Sequence, residues 1–181
     1  MSEQTGSSGR KQLIVMLLIA AASLGGSYAL FHASQSGGIW GTTNNGVFVQ
    51  PPVDVATLEV IDSDGNPITE SATWWLWVVQ AGPCVGECGE SMHQLRQLHI
   101  LLHREADRVK RALVTPIPVN PGDLAELYPD LMFLTGKVEQ LAPGIYIVDP
   151  LGNLVFHYPL EAAGKPVLED LKRLLKVSQI G

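Results

Sequence analysis

Two cysteines spaced four positions apart are the residues of this sequence best suited to chemistry. Cys84 and Cys88 are the only cysteines among 181 residues. A thiolate is the nucleophile of thiol–disulfide exchange and is also a ligand for soft metal ions. Residues four apart on a helix lie on one face, so this pair can form a disulfide or share one ion. The alternative is a purely structural disulfide, although such bridges usually close longer loops.

The residues around the cysteines predict a strand followed by a helix. Trp74–Val79 is an unbroken apolar run that contains three tryptophans, which is typical of a strand buried on both faces. Gly82-Pro83 then breaks the run, and apolar residues recur at helical spacing from Met92 to Leu102. We therefore expect both cysteines at the start of a helix that continues to about Arg108. The positive end of a helix dipole favours a thiolate there.

The amino-terminal part predicts a membrane anchor. Residues 13–31 carry no charge, and about 20 apolar residues are needed to cross a bilayer. Arg10 and Lys11 precede this stretch, and no Lys or Arg follows until Arg96. The positive-inside rule then leaves residues 1–12 in the cytoplasm and exports the rest. In a bacterium this is a single-pass inner-membrane protein with a periplasmic domain, and a cleaved signal peptide is the alternative.

Composition limits the partners of the exported part. The formal net charge is −6 and the sequence has no basic patch, which disfavours non-specific nucleic-acid binding. Residues 32–52 are rich in Gly, Ser, Asn and Pro, as in a flexible tether. We therefore expect one domain over residues 53–181, joined by this tether to the membrane helix. An exported cysteine pair lies in an oxidising compartment, where disulfide chemistry is common.

Further along the chain, the patterns predict an α/β domain with a mixed sheet. The predicted elements are a short strand and turn within 55–67, a strand starting at Arg111, a short helix over 123–128, a hairpin of strands 145–148 and 154–156, and an amphipathic helix over 165–177. This order resembles the thioredoxin fold over roughly residues 53–181. In thioredoxin-like proteins a cis-proline just before the hairpin faces the cysteine pair. Pro143 matches that position, which implies that it acts with Cys84 and Cys88.

The CxxxC spacing and the single amino-terminal span are similar to the Sco family of membrane-anchored cytochrome c oxidase assembly factors. The Asp149-Pro150-Leu151-Gly152 turn resembles the Asp-Pro-x-Gly hairpin of that family. Sco proteins hold copper with both cysteines and a distal histidine, so the resemblance implies that Cys84 and Cys88 bind Cu(I). The family's histidine precedes the hairpin, where this chain has no histidine. His157, predicted to lie opposite Tyr146, is the candidate third ligand, and a strand-end histidine on the surface is the alternative.

Several functions are consistent with these residues. One is Sco-like delivery of copper during cytochrome oxidase assembly, which requires a third ligand. Another is reduction of a disulfide on an oxidase subunit or a copper chaperone, which requires only two reactive thiols. A general periplasmic thiol–disulfide oxidoreductase and a redox-inactive interaction module with the same fold are the alternatives.

Overall fold

A computed structural model of the chain describes residues 6–35, 43–68 and 72–178, within two units formed by residues 1–43 and 44–181. The first unit contains one helix, α1 (Gly6–Gln35), which includes the predicted span. Its segment Gly9–Ala33 is long and apolar enough to cross a membrane. The hydroxyls of Ser23 and Ser27 donate to carbonyls of the same helix, which would satisfy them in a bilayer as well as in water.

The second unit contains a six-stranded sheet in the order β1-β6-β5-β2-β3-β4. The strands are β1 (Val47–Asp54), β2 (Trp74–Val79), β3 (Val109–Thr115), β4 (Leu131–Thr135), β5 (Gly144–Val148) and β6 (Asn153–Tyr158). β2, β3 and β4 are parallel, whereas β5 is antiparallel to β2 and β6, and β1 is antiparallel to β6. The carboxyl ends of β2, β3 and β4 and the amino end of β5 therefore meet at one edge. We call it the cysteine edge. The predicted mixed α/β sheet is confirmed.

One face of the sheet, the helix face, is covered by helices. α2 (Glu87–Leu101) and α4 (Lys165–Val177) pack on it, and α3 (Gly122–Leu127) contributes Leu124. The buried residues on this face include Leu76, Val78, Ile145 and Ile147. Hydrophobic burial of this kind is the main force that holds helices against a sheet.

The opposite face, the loop face, is covered by a 3-10 turn (Val55–Leu58) and by irregular segments. Trp75, Trp77 and Val79 lie in this second core, and Trp74 lies in the first. Every residue of β2 is buried, because both faces are covered. This explains the unbroken apolar run, and the predicted core position of the three tryptophans is confirmed.

Two strands differ from the sequence prediction. β1 pairs with β6 and includes residues 47–52, which we predicted in the tether, whereas tether residues 36–42 lie outside the described residues. β4 was not predicted at all, and it pairs with β3 along its whole length. Both strands lie at the borders of the sheet, where only pairing with one neighbour shows that they are strands.

The segment predicted as a strand after residue 55 begins as a 3-10 turn instead. Asp54 caps it, since its Oδ1 accepts a hydrogen bond from Ala56 N at 2.8 Å. The predicted turn is present, because Asp62 accepts hydrogen bonds from Asp64 N and Asn66 N. α2 ends at Leu101, and the residues up to Arg108 form a separate 3-10 helix rather than the last turns of α2.

Candidate functional site

The two cysteines form a disulfide at the amino end of α2. Their Sγ atoms are 2.02 Å apart and their Cα atoms are 5.0 Å apart. Cys88 is the second residue of α2 and is 1% exposed, whereas Cys84 lies in the loop before the helix and is half-buried. Both pack against the helix-face core. Cys84 is therefore the sulfur that another molecule can reach first.

The loop that holds Cys84 is shaped by a glycine. Gly86 has φ +59°, a conformation that residues with a side chain rarely adopt, and it directly precedes α2. Val85 N donates to the carbonyl of Pro83 at 3.0 Å, and Glu90 N donates to the carbonyl of Gly86. This tight path turns the chain so that the loop cysteine lies beside the first turn of the helix.

The amino end of α2 has electrostatic consequences for the pair. In the part of the chain that the structure describes, the residue before α2 makes no side-chain cap. The unpaired N–H groups of the first turn therefore remain available to a negative charge. If the disulfide is reduced, these groups stabilise a thiolate near Cys84 and Cys88. The arrangement predicted from the CxxxC spacing, with the cysteines at a helix start, is present.

Pro143 lies at the cysteine edge but does not have the expected geometry. It directly precedes Gly144, which pairs with Val79 at the end of β2. The chain therefore enters β5 beside the point where it leaves β2 for residues 80–86, here called the cysteine loop. The peptide bond before Pro143 is trans. The cis bond to proline in the described chain joins Gln50 and Pro51 in β1. The cis geometry implied by the thioredoxin resemblance is thus absent at Pro143, although its place in the topology agrees.

His157 lies opposite Tyr146, as the hairpin predicts, but on the side of the sheet away from the cysteines. The two rings are 4.8 Å apart, and His157 Nε2 is 3.4 Å from the carbonyl oxygen of Pro143. Tyr146 belongs to the loop-face core, whereas Cys88 belongs to the helix-face core. The sheet therefore separates the imidazole from the disulfide, and the predicted third ligand is not brought to the pair.

The donor set around the cysteines does not fit copper. Soft Cu(I) requires thiolate, thioether or imidazole donors in one place. Within residues 6–35, 43–68 and 72–178, no group of three His, Cys, Asp or Glu side chains gathers in a way that could hold a metal ion. The two sulfurs are joined to each other, and His157 lies on the opposite face. In this state the two sulfurs form a disulfide, so neither is a thiolate that could bind a metal ion.

The sequence predicted one feature of the cysteine edge and missed another. The chain leaves β3 where the prolines begin, as their positions predict, and residues 116–121 expose Ile117. Gly144 was missed, and a Cβ on it would overlap the imidazole of His157 and the carbonyl oxygen of Tyr158. Such a close approach between β5 and β6 leaves no signal in the sequence beyond the glycine itself.

Comparisons with known proteins agree with this geometry. Residues 74–178 match the family model described as transmembrane-like, thioredoxin-like, C-terminal domain. Sco1 from Thermus thermophilus, solved without metal, is 18% identical, with a TM-score of 0.57 over 73% of this chain and 97% of its own. Yeast Sco1 with copper bound is 16% identical, with a TM-score of 0.52 over 67% of this chain and 87% of its own.

A third similar structure is a SCO1/SenC family lipoprotein from Bacillus anthracis. It is 16% identical, with a TM-score of 0.51 over 71% of this chain and 97% of its own. No curated protein matches the sequence. At these identities the likeness concerns the fold: the second unit has the Sco-like thioredoxin fold that the sequence predicted.

Proposed function

The chain belongs to the transmembrane-like, thioredoxin-like C-terminal domain family, and from this premise we propose that it is a membrane-anchored thiol–disulfide exchange protein. Its client is a protein of copper-site assembly in cytochrome c oxidase, either an oxidase subunit or a copper chaperone. The observation that carries the proposal is the disulfide at the start of α2, with one reachable sulfur at Cys84 and one buried sulfur at Cys88.

The exchange runs in two steps when the protein starts in its reduced form. The Cys84 thiolate attacks one sulfur of a client disulfide, which forms a mixed disulfide and releases a client thiolate. The Cys88 thiol then gives its proton to that thiolate and attacks Cys84 Sγ. This re-forms the Cys84–Cys88 bond and expels the second client sulfur as a thiolate, which takes a proton from water to complete the client dithiol. Two electrons thus pass to the client. A dithiol protein has to reduce the pair again before the next cycle.

The half-buried position of Cys84 and the full burial of Cys88 support this order of events. The attacking sulfur has to reach a client, whereas the resolving sulfur only has to reach its neighbour. The first turn of α2 lowers the free energy of the thiolate, both when Cys84 attacks the client and when Cys88 attacks Cys84. The inner membrane and the periplasm are the proposed location, since α1 is long and apolar enough to cross a membrane and Arg10 and Lys11 lie on its amino side.

Copper delivery is the second candidate function, and the fold shared with copper-bound yeast Sco1 favours it. Copper would then be cargo that the reduced thiols pass to the oxidase. The position of His157 on the opposite face argues against it as the third ligand. A ligand from the client would have to complete the coordination, and the two candidates therefore make different predictions for the isolated protein.

A redox titration separates the two candidates. In full-length protein in mild detergent, the pair should titrate as a two-electron couple, with about 30 mV for each tenfold change in the dithiol-to-disulfide ratio. Cys88→Ser should trap a mixed disulfide with a disulfide-containing probe, because the resolving thiol is gone, whereas Cys84→Ser should not. His157→Ala is the matched control and should leave the potential unchanged. We expect the reduced protein to bind Cu(I) weakly or not at all. Tight one-to-one Cu(I) binding, whether or not it survives His157→Ala, would contradict the assignment and support copper delivery.

A further inference from the structure

We propose that the segment 116–121, here called the proline loop, and the cavity behind it select the client. They do so by accepting an apolar, uncharged side chain close to the client's target cysteine. This inference rests on the proposed function, because it concerns the client that reacts with Cys84. It adds a specificity surface that neither cysteine contributes to.

The topology places the proline loop beside the cysteine loop. β2 and β3 are parallel neighbours, with Val79 aligned to Val114, and Gln80 N donates to the carbonyl of Val114 at 3.1 Å. Neighbouring strands lie about 4.8 Å apart. The chain therefore leaves the sheet at two adjacent points on the cysteine edge, once toward Cys84 and once toward Ile117. A client segment attached to Cys84 therefore has to lie either on the side of β3, where the proline loop is, or on the side of β5.

The cavity lies between the proline loop and the ends of β3 and β4. Its volume is about 210 Å³, and its walls include Thr115, Pro118, Val119, Phe133 and Thr135. Sites for small molecules are usually about 300–1,000 Å³, so this cavity suits a single side chain better than a cofactor. Among the side chains that the structure describes, no charged one lines the cavity. A charged side chain would lose its hydration there without gaining a partner, whereas an apolar one would gain from burial.

The loop is held in shape before any client binds. Pro116, Pro118 and Pro121 fix the φ angle at three positions, and Thr115 Oγ1 donates to the carbonyl of Ile117 at 2.8 Å. Ile117 is 70% exposed, and Val85 on the cysteine loop is 73% exposed. A stiff loop that presents apolar side chains loses little entropy when it binds a partner.

An extended client segment is the occupant that these observations favour. The mixed disulfide at Cys84 obliges the client to contact the cysteine edge, and the proline loop is on one side of that contact. Val85 follows Cys84 on the cysteine loop, and Ile117 lies on the neighbouring proline loop, so each loop at this edge exposes an apolar side chain. A second copy of this chain is the competing occupant, and the experiment below distinguishes it.

The test uses short peptides with one cysteine activated as a mixed disulfide with a small thiol. Each peptide carries a single Leu or a single Glu at one of the three positions on either side of the cysteine. The measured quantity is the rate at which each peptide disulfide oxidises reduced full-length protein in mild detergent. We expect at least one position where the Leu peptide reacts about tenfold faster than the Glu peptide. Ile117→Ser and Val119→Ser should each reduce this ratio to about twofold or less.

Two controls keep the outcomes distinct. Val177→Ser replaces another exposed valine, 84% exposed at the end of α4, and should leave the ratio at its wild-type value. Oxidised glutathione is too small to require the loop, so all three variants should react with it at the wild-type rate.

No reaction with oxidised glutathione in the wild type would refute the proposed function. Reaction with glutathione but equal rates for the Leu and Glu peptides would refute the specificity surface alone. A dimer in light scattering that Ile117→Ser abolishes would identify a second copy as the occupant and overturn the client assignment.

Discussion

Replacing Asp170 with alanine should destabilise the second unit strongly. Asp170 in α4 is 2% exposed, and one carboxylate oxygen accepts three hydrogen bonds. The donors are Asn45 N at 2.6 Å, Gly46 N at 2.9 Å and Tyr158 Oη at 2.8 Å. These bonds connect α4, which carries Asp170, to the segment before β1 and to the end of β6. One side chain therefore connects three parts of the fold.

The expected magnitude follows from the donors that the alanine would leave unpaired. The bonds from Gly46 N and Tyr158 Oη are buried, whereas water can reach the partly buried Asn45 N. An unsatisfied buried donor costs about 1–3 kcal/mol. Two such donors predict a loss of about 2–6 kcal/mol from a total stability of about 5–15 kcal/mol. Asp170→Asn keeps one oxygen acceptor and should cost less, about 1–3 kcal/mol.

The assay is equilibrium unfolding of full-length protein by urea in mild detergent, followed by the fluorescence of the buried tryptophans in β2. Lys172→Ala is the matched control, because Lys172 is exposed on the same helix, and it should change the free energy of unfolding by less than about 0.5 kcal/mol. A loss below about 1 kcal/mol for Asp170→Ala would refute the reasoning. It would mean that the carboxylate does not hold the segment before β1.

Two further predictions concern the same end of the sheet. Burial, together with the hydrogen bond to Asp170, raises the pKa of Tyr158 above its usual value of about 10. The folded state then keeps a proton that the unfolded chain loses, so the free energy of unfolding should fall as the pH rises above about 10. Urea titrations at pH 8 and pH 10.5 measure this fall. It should be smaller in Tyr158→Phe than in the wild type, because the phenylalanine has no hydroxyl to titrate. Gly144→Ala should cost about 1–3 kcal/mol in the urea assay, because its Cβ would meet His157 and a backbone carbonyl. Gly82→Ala, where a Cβ meets nothing within 4 Å, is its control, and equal losses in the two variants would contradict the packing argument.

The parts of the fold that the sequence predicted well are those with a strong local pattern. Three elements have such a pattern: β2 with its apolar run, α4 with its periodic leucines, and the hairpin with its turn Asp149–Gly152. In each of them the local residues are enough to predict the element. Asp149 shows why the turn could be predicted from the sequence, since its carboxylate accepts hydrogen bonds from Leu151 N and Asn153 N within the same five residues. No distant contact is needed to form it.

β1 and β4 lack such a pattern. β1 contains two consecutive prolines and follows a Gly- and Asn-rich stretch, so its sequence resembles a linker. It is a strand because β6 supplies hydrogen-bonding partners from about 100 residues further along the chain, with Phe48 aligned to Phe156. β4 is five residues long and its register with β3 places Leu131 opposite Arg111. Pairing of this kind depends on the neighbouring strand and not on the segment itself.

The site divides in the same way. The sequence by itself determined that the chain has one cysteine pair, that the pair opens a helix after a buried strand, and that His157 lies opposite Tyr146, because spacing, turn residues and strand alternation are local properties. Only the tertiary structure decided that α2 packs on one face of the sheet while His157 points to the other. The face on which a helix packs depends on how the chain crosses between β2 and β3, and alternation along β6 carries no information about that crossing. This is why two correct local predictions, a cysteine pair and a histidine opposite Tyr146, do not bring the imidazole to the sulfurs.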